Sequence, residues 1–243
     1  MNNKQQYTQP WKGADSPTMI GTHFPPFILV EGIPNFRDLG GYPISTHTDA
    51  GLLSVRRNLI FRCAEPSRIT PAGAQTLRTL GITTLFDLRS RPEIEKQSAR
   101  APVVHIDGIR REFAPVFADK DYSPESIALR YKDYASSGTE GFTRAYAAVL
   151  KNAPSSYRRV FMHIRDKPEE ACVIHCTAGK DRTGVLAALI LVLAGVDERT
   201  VADEYALTEI GLAPLRPIIL QHLIDQPALE GNREGAMNMV SAK

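Results

Sequence analysis

The chain has 243 residues, 43% hydrophobic and 23% charged, which is ordinary globular composition and enough to bury one sizeable core. Its 29 basic and 27 acidic residues leave a formal net charge of only +2, so no bulk field draws nucleic acid or an anionic membrane, and any basic character that matters is local. Its three cysteines, Cys63, Cys172 and Cys176, cannot all pair, and no stretch approaches the ~18 apolar residues of a membrane span, so the composition predicts a soluble cytoplasmic protein without stable membrane insertion.

Residues 1–27 lack hydrophobic periodicity and contain Pro10, Pro17, Pro25 and Pro26, which predicts an extended arm ahead of one folded domain over 28–243. Asn35 to Gly41 is turn-prone, its paired glycines able to supply positive φ, and Phe61-Arg62-Cys63 reads as a strand or its end. Thr70 before Pro71 marks a helix start, and Leu77, Leu80 and Gly81 close that helix. Ile82 to Leu88 has the β-branched, apolar character of a buried strand, ending in the polar Asp87-Leu88-Arg89-Ser90, which places Asp87 and Arg89 at the edge of a site. A charged helix around Pro92 to Arg100 and a short strand over Val103 to Ile106 follow, with His105 read as a core histidine. The alternation of helix and strand predicts an α/β fold with a mainly parallel central sheet flanked by helices.

Residues 107–141 are less regular, with a helix opened by Ser123-Pro124 and running through Tyr134, and they read as a helical insertion that covers a site or sets its specificity. Two further helices, Phe142 to Leu150 and one presenting Tyr157, Val160, Phe161 and Ile164 on a single face, are expected against the sheet. Ala171 to Ile174 is a short apolar strand running straight into His175-Cys176, and Thr183 to Ala194 is apolar nearly all round, as a buried helix would be, with Gly195 as its cap. Asp197 caps another helix through Leu207, Leu215 to Ile224 forms one more, and the chain then turns polar.

A strand, a tight loop with one glycine and a buried helix together converge backbone N–H groups on an anion. The loop is His175-Cys176-Thr177-Ala178-Gly179-Lys180-Asp181-Arg182-Thr183-Gly184. At its base the amides, the helix N-terminus and Arg182 would stabilise a Cys176 thiolate, lowering a cysteine pKa from ~8.5 to about 3.5–7.5 in such settings. That thiolate can attack phosphorus and form a phosphocysteine that water later hydrolyses. Arg182 can fork two N–H bonds to the phosphoryl oxygens, Thr183 can offer its hydroxyl to the leaving sulfur, and His175 can brace the loop from behind. The phosphate would lie on Thr177, Ala178, Gly179, Lys180, Asp181 and Arg182, without metal or cofactor. A nucleotide-binding Gly-rich loop is excluded, because Gly179-Lys180 is followed by Asp181 and no glycine stands five residues before Gly179.

This His-Cys-x-x-Gly-Lys-Asp-Arg-Thr-Gly sequence resembles the signature loop of protein tyrosine phosphatases. With Asn35 to Gly41 and Asp87-Leu88-Arg89-Ser90, the resemblance extends over about residues 28–240 to the atypical microbial tyrosine and lipid phosphatases, the triple-specificity group. It implies a phosphatase-type fold, no metal, and phosphoprotein or phosphoinositide substrates. The Trp-Pro-Asp loop of conventional tyrosine phosphatases is missing, since the one tryptophan, Trp11, lies in the arm. The resemblance therefore shifts the acid to Asp181, with Asp87 lining the site and Asp107 and Asp119 as further candidates. Relatives generally continue into another helix after Asn232-Arg233-Glu234-Gly235, so the chain reads as shortened there.

Blander readings stand beside these. Cys172 shares a strand face with Cys176 and could form a disulfide with it, but core packing is the stronger reading. Asp87 and Arg89 could be a surface ion pair, and Asp181 could fix loop geometry rather than give a proton. Arg37-Asp38 reads as architectural, and Arg110-Arg111 as a solvated turn. Two alternatives to a protein phosphatase remain: a phosphoinositide phosphatase, and a catalytically weak module that binds phosphotyrosine.

Overall fold

A computed structural model describes residues 26–48, 51–99, 102–122, 124–136, 139–226 and 229–242. The expected arm falls almost wholly outside the described residues. The chain enters through β1 (Arg37–Asp38), makes a separate hairpin of β2 (Pro43–Thr48) and β3 (Gly51–Ser54), and returns as β4 (Ile60–Cys63). Helix α1 (Pro71–Thr79) begins where the sequence predicts: the Thr70 hydroxyl accepts from Gly73 N at 3.1 Å, and Pro71 occupies the first turn. Then come β5 (Ile82–Asp87), α2 (Arg91–Gln97) and β6 (Arg110–Phe113).

The expected strand at Val103–Ile106 does not form; its place in the sheet is taken by β6. Val103 and His105 are exposed, so His105 is no core residue; it pairs instead with Asp107 at 3.4 Å. The same shift corrects the reading of Arg110-Arg111 as a turn, for Arg111 lies in β6 opposite Leu85 and reaches the buried Asp87. A carboxylate that must be neutralised inside the protein outweighs the weak β-propensity of two arginines.

The rest of the chain is α3 (Pro124–Ala135), α4 (Glu140–Asn152), α5 (Pro154–Asp166), β7 (Ala171–His175), α6 (Asp181–Leu193), α7 (Glu198–Ala206), the short α8 (Thr208–Gly211), α9 (Arg216–Ile224) and α10 (Arg233–Val240). The sheet order is β1-β4-β7-β5-β6, parallel except for β1 against β4. Two cores pack on its faces. One gathers Phe86, Ile174 and Cys172 with Tyr157 and Val160 of α5 and Leu186 and Ile190 of α6; the other gathers Phe36, Phe61, Leu77 and Val173. Helix α6 buries Thr183 to Ala187, Ile190 and Leu191, but Val192 and Leu193 at its end are exposed, so it is not enclosed throughout. Helix α10 packs with α9 and α3 around Leu223, Leu229, Ala236 and Val240, in the place where the resemblance called for another helix.

Candidate active site

β7 is the middle strand, buried at every residue, and it delivers His175-Cys176 to the carboxyl end of the sheet. From there the chain turns through Gly179, at φ +64, into α6. A Cβ on Gly179 would stand 2.1 Å from the carbonyl oxygen of Cys63, so only glycine fits the turn.

The carbonyls of residues 176 to 180 are each bonded. His175 Nδ1 lies 3.0 Å from Cys176 O and donates to it. Glu65 N donates to Thr177 O at 3.0 Å, and Asn35 Nδ2 donates to Ala178 O at 3.1 Å and Gly179 O at 3.3 Å. Arg62 Nη2 donates to Gly179 O at 2.7 Å and Lys180 O at 3.3 Å, while Gly184 N closes the first helical turn on Lys180 O at 2.7 Å. In a planar trans peptide the N–H points opposite to the C=O, so carbonyls drawn back to the scaffold turn the following amides to the loop's other side.

The donors behind the loop are themselves anchored. Arg37 Nε and Arg62 Nη1 share the Glu204 carboxylate of α7 at 2.7 and 2.6 Å, and all three side chains are at most 2% exposed. Burial alone would raise the Glu204 pKa, but the two guanidiniums hold it below the ordinary glutamate value. Burial and the neighbouring Arg62 charge lower Arg37 to about 10. Asp38 accepts from Gly40 N and Asn58 N, so the Arg37-Asp38 pair is architectural, as the sequence suggests.

Asp87 is wholly buried behind the loop. It accepts from Arg89 Nε and Nη2 at 2.9 and 2.8 Å and from Arg111 Nη2 at 2.8 Å, with His175 Nε2 at 3.7 Å. Burial would raise its pKa, yet His175 and the two guanidiniums drive it well below the ordinary carboxylate range. The expectation that Asp87 lines the site is therefore corrected: it is a buried, ionised anchor. The Asp87–Arg89 pair is no surface pair either. His175 is buried, and burial lowers its pKa, with the nearby Asp87 opposing.

On the other side of the loop, Arg182 Nη1 and Nη2 donate to Glu93 Oε2 and Oε1 of α2 at 2.6 and 2.8 Å, and the Thr177 hydroxyl donates to the same carboxylate. Asp181, at the start of α6, accepts from Tyr146 OH at 2.9 Å; Tyr146 OH meets Tyr205 OH. Burial, then the Asp181 charge, raises the pKa of both tyrosines, which keeps them protonated. Lys180 is almost buried, its Nζ donating to Met239 O of α10 at 2.6 Å. Thr183 Oγ1 is buried without a hydrogen-bond partner among the described residues, so no bond to the Cys176 sulfur is formed.

A cavity of about 770 Å³ has Thr177, Ala178, Lys180, Asp181 and Arg182 on one wall and apolar side chains such as Ile28, Leu212 and Ile219 on another. Cys176 is 2% exposed and lies beneath that wall, not on it. The three cysteines are free and buried, and burial raises Cys172 to about 12, the behaviour of a core residue.

Asn35, Arg62, Glu93, Tyr146 and Glu204 are the residues that sequence reasoning passed over. Only Asn35 and Glu93 had a signal, the first in the Asn35–Gly41 turn, the second three residues after Ser90 in a capping-box pattern.

A model of the tyrosine phosphatase family matches residues 28–243. The chain is 30% identical over 155 residues to a tyrosine-protein phosphatase of Nostoc commune, an alignment covering 64% of this chain and 50% of that one. It is also 30% identical over 209 residues to the triple specificity protein phosphatase PtpB of Mycobacterium tuberculosis, covering 76% and 70%. It thus spans only half the length of the Nostoc relative.

Proposed function

This chain belongs to the tyrosine phosphatase family, and we propose that it is a cysteine-dependent phosphatase acting on phosphotyrosine in proteins. The observation that carries the reading is the set of tethered carbonyls over residues 176 to 180, which leaves the loop amides to receive an anion beside Cys176.

In the first step the Cys176 thiolate attacks phosphorus: the S–P bond forms, the P–O bond to the tyrosyl oxygen breaks, and Asp181 gives that oxygen a proton. Arg182 and the loop amides hold the phosphoryl oxygens as charge spreads. In the second step water attacks phosphorus, the S–P bond breaks, and the proton lost by water returns to Asp181. Asp181 is the acid in this scheme because it stands on the cavity wall, whereas Asp87 is wholly buried and held by the Arg89 and Arg111 guanidiniums. Thr183 would meet the departing sulfur through its unpartnered hydroxyl. His175, Arg89 and Asp87 support the loop from behind.

Phosphotyrosine is favoured over phosphoinositides because the Lys180 ammonium, a natural partner for extra phosphates, is already bound to Met239 O. The domain runs over 28–243, with α3 in the 107–141 insertion forming part of the cover. A cytoplasmic setting suits three free, buried cysteines, and among the described residues no helix is long and apolar enough to cross a membrane.

The test is phosphate release from phosphotyrosine, phosphoserine and phosphothreonine peptides and from phosphoinositides, with and without EDTA. Phosphotyrosine should turn over fastest and EDTA should change nothing. Cys176→Ser should abolish turnover and keep tungstate binding. A wild-type protein that is inactive, or active only with free metal, would sink the proposal.

A further inference from the structure

Beneath the loop lie two cations and one anion, all buried. Arg37 and Arg62 are 0% exposed and Glu204 2%, so one positive charge in this group is not balanced within it. The two arginines differ in what else they hold. Arg37 gives its other donors to Asn35, Glu204 O and the Thr208 hydroxyl, so it reaches the loop only indirectly, through Asn35. Arg62 gives Nη2 to the loop carbonyls of Gly179 and Lys180, and its Nε has no hydrogen-bond partner among the described residues. The guanidinium is pressed against the first turn of α6, where a Cβ on Gly184 would come within 3.4 Å of Nη2.

Removing an ion from water is costly unless charge and hydrogen bonds are matched. An architectural role for Arg62 would need only its ion pair with Glu204 and its place in β4. The spare charge and the two loop contacts go beyond that. They are what an oxyanion held in the loop would complete: the carbonyls of Gly179 and Lys180 are fixed backward by Arg62, their peptide N–H groups turn forward, and the unmatched charge lies on the far side of the same peptides.

We propose that Arg62, acting through the Gly179 and Lys180 carbonyls with Asn35 beside it, is a positioning residue that sets the loop's affinity for the phosphoryl group. The inference rests on the phosphatase reading above. Arg62 never touches substrate. Its fork orients the peptides that do, and its charge favours an anion over an empty loop.

The test uses the full chain and tungstate as the probe, with dissociation constants from calorimetry and unfolding temperatures from circular dichroism. Arg62→Lys keeps the charge and loses the fork; Arg62→Met loses both. Asn35→Gly leaves Arg62 in place and removes the Nδ2 tether together with the Oδ1 acceptor of Arg37 Nη1, and glycine accepts the backbone φ of +58 found there, so this variant keeps the turn if the arginine variants do not fold. The folded arginine variants should bind tungstate more weakly by roughly tenfold to a hundredfold, the worth of a charge-assisted hydrogen bond, with Arg62→Met weaker than Arg62→Lys; Asn35→Gly, which loses neutral bonds, should weaken it by about threefold to tenfold, and kcat/KM should fall in parallel. Folded variants that melt earlier but keep the wild-type tungstate affinity would make Arg62 and Asn35 purely architectural and overturn the proposal. A wild-type chain that neither binds tungstate nor hydrolyses aryl phosphate would instead bring down the phosphatase reading beneath it.

Discussion

Arg182 is paired end-on with Glu93, through two hydrogen bonds of 2.6 and 2.8 Å that engage both terminal nitrogens of its guanidinium. The two side chains are 14% and 11% exposed, and the carboxylate is also bound by the Thr177 hydroxyl and faces Ser90 N at 3.4 Å. Glu93 thus brings a negative charge to the wall where a phosphoryl dianion is to bind. It also fixes the plane of the guanidinium.

Replacing that carboxylate with an amide removes the repulsion and keeps the shape. Glu93→Gln should lower KM for an aryl phosphate by about tenfold, the worth of one like charge near a partly screened site. Steady-state kinetics at constant ionic strength decide it. A KM that rises would mean that Glu93 serves binding only by holding Arg182.

The identity of the acid can be read from leaving groups. Asp181→Asn should reduce kcat on the order of a hundredfold or more for phenyl phosphate, whose leaving group is poor, and far less for aryl phosphates with acidic phenols. Asp87→Asn leaves Arg89 and Arg111 without their buried partner, so it should destabilise the fold by about 3–5 kcal/mol and lower activity equally across the series. A flat series for Asp181→Asn would exclude it as the acid.

Tyr146 should matter through Asp181. Tyr146→Phe removes the hydroxyl that donates to Asp181 Oδ1 and meets Tyr205, and it should lower kcat severalfold for poor leaving groups with KM little changed. Because Tyr146 and Tyr205 are held protonated by their surroundings, no tyrosine ionisation should shape the rate near neutrality. A loss shared by all leaving groups would place Tyr146 in packing alone.

Stability should fall on the acid side. Asp87, Glu204 and His175 all have folded pKa values below their ordinary ones, so each takes up protons more readily when unfolded. Their contributions are complete above the unfolded values, about 6.5 for histidine and about 4 for the carboxylates, and are lost as pH drops through the folded ones. Melting temperatures should therefore decline modestly below about pH 6.5 and steeply below about pH 4. The steep part should flatten in Glu204→Gln, measured against its own value at pH 7; an unchanged slope would contradict the assignment.

The loop and the elements that carry it were legible because their signals are local: Thr70-Pro71 starts a helix, Ala171–Ile174 is an apolar strand, and one glycine stands where a Cβ would strike Cys63 O. What stayed hidden was set by partners far along the chain. Arg110-Arg111 looks like a turn until the buried carboxylate of Asp87 is known to need a second guanidinium. Arg62 and Glu204 are 142 residues apart, and neither has a neighbour in sequence that betrays the pairing. Helix α10 escaped because its eight residues, Arg-Glu-Gly-Ala-Met-Asn-Met-Val, carry only a weak apolar pattern, and its packing on α3 and α9 supplies the rest.

The bond from Lys180 Nζ to Met239 O joins the loop to a peptide near the far end of the chain. Trimming the protein before Met239, or fusing a bulky tag directly behind α10, would strip a buried ammonium of its acceptor. The damage would surface as a catalytic defect in a region that, on a sequence map, lies more than sixty residues from the nucleophile it disturbs.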